Sequence, residues 1–215
     1  MITNKPALVA EIRSRFAHVE SCPFEGPRVF FENAGGALTL NSVVATSAKF
    51  AAIPDNQGRD NPAAHALVAF IDKAKEDMRV FFNAPKGQFF VGESGTELLF
   101  RLIRTAIVGT GPGRVLGSTL EHPATRSAAR HWAEVAGKPH ILVAHDDATG
   151  CVDAAAYAPH NTPETKVATS LHTTPSTGIG DEGWAIEADI RSVAHEFRIM
   201  DAGTHQGAHG GPYVD

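Results

Sequence analysis

The stretch RVLGSTLEHPATRSAARHWAEVAGKPHILVA, residues 114–144, decides the fold. Arg114 to Gly117 reads as a short buried strand, Ala124 to Ala136 as a helix, and His140 to Ala144 as a second short apolar strand. Strand, helix, strand in so few residues is a βαβ unit, and its two strands must run parallel. The pattern extends in both directions. Upstream, Gln88 to Val91 reads as strand and Thr96 to Val108 as helix; downstream, Lys166 to Leu171 reads as strand, Trp184 to Phe197 as helix and Arg198 to Met200 as strand. The expected class is α/β, a mainly parallel sheet with helices on both faces.

Nearer the N-terminus the reading changes. Residues 1–19 pattern as an amphipathic helix, Arg28 to Glu32 is β-rich, and Asn33-Ala-Gly-Gly36 supplies a turn into a helix near Asn41 to Ala52. Residues 64–82 carry Leu67, Phe70, Ile71, Ala74, Met78 and Phe81 at helical spacing, with Lys73, Lys75, Glu76 and Arg79 toward water. The expected organisation is an N-terminal helical segment over residues 1–27 and one large domain over 28–215.

Composition narrows the function classes. The 215 residues are 43% hydrophobic and 20% charged, as expected of a folded globular protein. Nineteen Lys and Arg against 24 Asp and Glu give a net charge of -5, so no overall positive field draws in nucleic acid or anionic lipid. Cys22 and Cys151 match no metal-ligand spacing and read as reduced thiols. Glu11, Arg13 and Arg15 interrupt the first helix, which therefore lacks the apolar core of a signal peptide. No apolar run approaches the roughly 20 residues needed to cross a bilayer. The expectation is a cytoplasmic protein without nucleic-acid or membrane partners.

In a parallel sheet ligands bind at the carboxyl ends of the strands, which directs attention to the loops after Val91, Gly117, Leu171 and Met200. Gly92-Glu-Ser-Gly-Thr-Glu97 follows a strand and opens a helix, offering free backbone N–H groups to a phosphate. The same residues read as a helix cap, with Ser94 or Thr96 capping and Glu97 favouring the positive end. His122, in Glu121-His-Pro-Ala-Thr125, is a ring that could stack on a ligand or move protons, or a loop histidine without a chemical role. Asp201 directly follows a strand and should emerge at the binding edge, as a ligand-pairing acid or as a turn residue.

Two motifs compete. Gly178-Ile-Gly-Asp-Glu-Gly183 matches the dinucleotide pattern G-x-G-x-x-G, which would make the chain a nicotinamide-dependent dehydrogenase. Against it, residues 172–177 separate the strand from the first glycine, and Asp181 and Glu182 would repel a pyrophosphate. His205 and His209 have i, i+4 spacing for a metal, but Gly203, Gly207, Gly210 and Gly211 make that segment a poor helix, so no metal is expected.

Taken in order, these segments resemble the class V aminotransferases, the fold-type I pyridoxal-phosphate enzymes that include cysteine desulfurases and isopenicillin N epimerase. Phe30-Phe-Glu-Asn-Ala-Gly-Gly36 resembles the family's "LDNAA" turn, Glu93-Ser-Gly-Thr-Glu97 its "SGATE" phosphate loop, and Glu121-His122 its "EHH" element. Residues 166–178 resemble "TKLVAVTHVSNVTG", and residues 200–210 resemble "VDGAQxAPHG". The likeness spans residues 28–215, and the order of five motifs is its argument.

The resemblance implies the large-domain part of a pyridoxal-phosphate transferase or C–S lyase, acting on an amino acid as a homodimer. Gly95 and Thr96 would bind the cofactor phosphate, His122 would stack on the pyridine ring, and Asp201 would pair with the protonated ring nitrogen. That charge pair lets the ring accept electrons when a bond at the substrate Cα breaks. One further contact would come from Thr204, His205 or Gln206.

There are departures. The asparagine of "SNVTG" falls at Pro175, and the family's "SxHK" lysine would lie beyond Asp215, since none of Lys5, Lys49, Lys73, Lys75, Lys86, Lys138 or Lys166 stands in that context. The large domain is therefore expected to be incomplete, lacking the lysine segment and the C-terminal small domain, and the chain inactive alone. The rival of a different class is a non-catalytic α/β protein that binds a phosphate ligand or serves as a subunit partner.

Overall fold

A computed structural model of the chain describes residues 5–31, 36–54, 57–171 and 197–201, with only the backbone described at 198, 200 and 201. Contacts divide it into two compact units, one drawn from residues up to Phe89 and the other from Phe90 onward.

The first unit holds helices α1 (Pro6–Ser14), α2 (Asn41–Ala51) and α3 (Pro62–Phe81) and a two-stranded antiparallel pair, β1 (Ser21–Cys22) with β2 (Gly26–Pro27). Pro23 and Gly26 make that hairpin: Gly26 sits at φ +85, a left-handed conformation that side chains resist. The strand expected over Arg28 to Glu32 is not formed at residues 28–31: the turn lies at residues 23–25, and the ladder with β1 ends where Arg28 donates its N–H to the Glu20 carbonyl at 3.0 Å. α3 starts where Asn61 accepts the N–H of Ala64 at 2.9 Å and Pro62 supplies a preset φ. The Phe50 and Phe70 rings meet at 4.9 Å between centroids. Of all residues in α1, α2 and α3, only Ala64 is buried.

In the second unit the expected alternation is present from α4 to β5; the helix expected over Trp184 to Phe197 lies outside the described residues up to residue 196, and Phe197 itself belongs to a strand. α4 (Gly95–Gly109), β3 (Arg114–Ser118), α5 (Pro123–Val135), β4 (His140–Val143), the short α6 (Ala154–Tyr157), β5 (Thr165–Leu171) and β6 (Phe197–Asp201) follow one another. The strands form one parallel sheet of order β4-β3-β5-β6. Successive side chains on β3 and β5 point to opposite faces. Val115, Val167 and Ile199 pack with Ile103, Ala106 and Ile107 of α4 and Ala128, Ala129 and Ala133 of α5. Leu116 and Ala168 turn the other way, onto Val143, Val152 and Tyr157 beside α6. The sheet is covered on both faces, as the sequence predicts.

Gln88 to Val91 departs from expectation. It forms no strand, and Phe90 and Val91 are almost fully exposed. The residue types favour β structure, but a strand exists only where a neighbour completes its ladder.

Candidate functional site

Helices α4 and α5 each lead by a short loop into the next parallel strand, so they run antiparallel to the strands and their N-termini lie at the sheet's carboxyl edge. At that edge β3 ends at Ser118, β4 at Val143, β5 at Leu171 and β6 at Asp201.

The N-terminus of α4 is capped by Ser94, whose hydroxyl accepts the N–H of Glu97 at 3.1 Å. The capping reading of Gly92 to Glu97 thus holds, and it leaves the anion reading open. Cap and anion site are compatible, because Ser94 satisfies one of the first-turn donors, while the amides of Gly95 and Thr96 have no acceptor within the helix. Both residues are exposed, and among the described residues no atom outside the adjoining chain and helix backbone stands within 4 Å of where a Cβ on Gly95 would be. Among the described residues nothing stands in the way of a phosphate at this helix end. Behind it, Glu97 folds toward Gly92, where a Cβ would stand 2.2 Å from Oε2 of Glu97.

His122 is the N-cap of α5, with Pro123 next to it. Its Nδ1 accepts the N–H of Ala124 at 3.1 Å, so in the neutral ring the proton sits on Nε2. The ring is half-buried and its direction is fixed by that cap. Asp201 is the last residue of β6, opposite Leu171 of β5. Gly95, Thr96, His122 and Asp201 therefore all belong to elements that end or begin at one edge of one sheet. Thr204, His205 and Gln206 lie outside the described residues, as do the dinucleotide-like residues 178–183 and the pair His205 and His209.

Three polar groups near this edge were not singled out from the sequence. Glu121 is buried, and its Oε1 accepts the N–H of Ser118 at 3.0 Å and the hydroxyl of Thr169 at 2.6 Å. His145, just past β4, donates its backbone N–H to Thr119 Oγ1 at 3.0 Å, and the same hydroxyl forms a hydrogen bond with His145 Nδ1 at 2.8 Å. Arg126 of α5 donates to the Thr119 carbonyl at 2.7 Å. The turn between β3 and α5 is thus tied to both neighbouring strands. Gly117 is the one sequence signal for this arrangement, a glycine inside a strand marking close approach.

A groove of about 1000 Å³ opens at the opposite, amino edge, among Pro112, Arg114, Lys138, Ile141, Glu164 and Lys166. Its size does not make it the chemical site. Helices α4 and α5 present their C-terminal carbonyls at this edge, and Lys138 is engaged with those of Ile107 and Thr110. Among the described residues no cluster of three or more His, Cys, Asp or Glu could hold a metal, and no helix is long and apolar enough to cross a membrane.

Comparison with solved structures agrees with this architecture. The cysteine desulfurase CsdA from Escherichia coli superposes with a TM-score of 0.71 at 19% identity, over 94% of this chain and 50% of that one. The apo cysteine desulfurase from Thermococcus onnurineus NA1 gives 0.74 at 14% identity, over 87% and 46%. The fold is that of the cysteine desulfurases. The cystine C–S lyase C-DES, solved with its product cysteine persulfide, gives 0.64 at 18% identity, over 83% and 48%. The chain spans about half the length of the structures it matches. No family model and no curated protein matches the sequence.

Proposed function

We propose that this chain is the cofactor-binding part of a pyridoxal-phosphate enzyme of the class V aminotransferase kind, acting on an amino acid. One observation carries the reading: the α4 N-terminus, the α5 cap His122 and the β6 terminus Asp201 converge on the carboxyl edge of one parallel sheet. The shared edge follows from the parallel topology; what supports the reading is that this edge carries free helix N–H groups, a ring and an acid together, the residue types that a phosphate-bearing aromatic cofactor needs.

In this reading Gly95 and Thr96 donate backbone N–H groups to the cofactor phosphate at the positive end of α4. His122 offers a flat ring whose attitude is already set by its bond to Ala124. The Asp201 carboxylate holds the proton on the pyridine nitrogen, and one of Thr204, His205 or Gln206 adds a contact. The cofactor supplies an electron sink for bond cleavage at the substrate Cα. Residues 28–215 form part of the large domain, and the working enzyme is a homodimer in the cytoplasm. Similarity to cysteine desulfurases and to a cystine C–S lyase favours a sulfur amino acid as substrate and C–S cleavage as the reaction.

Titration of the chain with pyridoxal phosphate, followed by absorbance, tests this. Saturable binding that inorganic phosphate displaces is expected. His122→Ala should weaken it about three- to tenfold, the worth of one ring stack. Asp201→Asn should leave affinity nearly unchanged but move the pH at which the ring nitrogen titrates downward. Binding indifferent to His122, or to phosphate, refutes the assignment.

A further inference from the structure

Glu121 is a charged residue in a turn and yet only 3% exposed. A buried carboxylate is costly unless hydrogen bonds replace its hydration. Here Oε1 receives two, one from the end of β3 at Ser118 and one from the middle of β5 at Thr169. A single oxygen thus pins the β3–α5 turn to the adjacent strand. Gly117 makes the space: a Cβ there would stand 2.8 Å from Thr169 Oγ1 and 2.9 Å from Glu121 Oε1.

Position gives this anchor its meaning. The residue after Glu121 is His122. Thr169 pairs across the sheet with Ile199, two residues before the pairing of Leu171 with Asp201. The anchor therefore stands between the turn bearing the histidine and the strand pair bearing the acid.

We infer that Glu121 is a positioning residue of the site: by pinning the β3–α5 turn to β5 it holds the His122 ring in the attitude that the Ala124 bond records. The ring's purpose rests on the cofactor reading above, whereas the anchor is a property of the free chain. Glu121 acts as a positioning residue, and its effect on the ring passes through the backbone of the next residue.

The test reads the ring nitrogens of His122 in the 215-residue chain by long-range proton–nitrogen NMR, with the signal assigned by its loss in His122→Gln. The wild-type ring should be one neutral tautomer with Nδ1 as acceptor. Glu121→Ala, and Gly117→Ala acting through the displaced carboxylate, should average the two tautomers. Glu121→Gln should restore the single form, since an amide oxygen still accepts from both donors. Pyridoxal-phosphate affinity should fall about tenfold in Glu121→Ala and recover in Glu121→Gln, the lower end of what losing the partner behind a metal-binding histidine costs. A folded Glu121→Ala with an unaltered His122 tautomer overturns the inference, whatever its thermal stability. Should that variant fail to fold, Thr169→Val removes one of the two donors, and an unaltered tautomer there overturns it equally. Failure of the wild-type chain to bind pyridoxal phosphate would sink the cofactor reading alone, because the tautomer comparison needs no cofactor.

Discussion

Replacing Lys138 by methionine isolates what closes the C-terminal end of α4. The Lys138 ammonium donates to the Ile107 carbonyl at 2.7 Å, to the Thr110 carbonyl at 3.0 Å and to the Thr110 hydroxyl. Methionine keeps the length and most of the apolar stem but donates nothing. Two carbonyl bonds at about 1 kcal/mol each, plus about 0.5 kcal/mol for a cation at a helix C-terminus, give a loss of about 2.5 kcal/mol. The site is half-buried, so water recovers part of this, and about 2 kcal/mol is the expected net cost. Urea unfolding read from Trp132, whose ring packs against the α4–α5 core, suits the measurement. A Trp184→Phe background removes the second tryptophan. With a slope of about 1.5 kcal/mol per molar urea, the midpoint should fall by roughly 1 to 1.5 M. A shift below about 0.3 M would show that the three acceptors are satisfied equally well by water and that the cap is ornamental.

Ser94→Ala removes the α4 cap and should cost about 1 kcal/mol in the same urea assay; an unchanged midpoint would mean the helix begins elsewhere. Burial, reinforced by the positive charge of Arg130, holds His140 below the ordinary histidine value of 6.5. The native ring therefore resists protonation that the unfolded chain accepts, so its contribution is complete above 6.5 and is lost as pH falls toward the native value. His140→Gln should flatten that acid limb, and a curve parallel to wild type refutes the argument. Borohydride reduction of the chain mixed with pyridoxal phosphate should leave no native lysine stoichiometrically labelled. Lys138 and Lys166 line the amino edge, away from Gly95 and His122, and a full label on either would contradict the assigned edge.

The parallel sheet was legible because its evidence is local: short apolar runs separated by helices fix strand direction without any long-range information. Where the sequence misled, the missing information was non-local. Phe89, Phe90 and Val91 have the chemistry of a strand, yet pairing is decided by what lies alongside. α6 is only Ala154–Tyr157, started when Asp153 accepts the N–H of Ala156 at 2.8 Å, and a single turn leaves no periodicity to read. At the site, Pro123 announces a helix start and so places His122 at the cap, a signal available from spacing alone. Glu121 stood in a motif resembling the family's, but nothing local marked it as buried. A charged loop residue reads as solvated, and its burial depends on a threonine 48 residues later.

The near absence of buried residues from α1, α2 and α3 has a kinetic consequence. Isolated helices as short as α1 and α2 are marginal in water, and α3, though 20 residues long, has as little burial of its own residues to protect it. Amide exchange along Pro62–Phe81 should therefore proceed through fraying and brief local opening, while amides of β3 and β5 wait for concerted unfolding of the sheet. A protease given limiting time would enter the chain before Phe90, and would leave the α4–β3–α5 core as the surviving band.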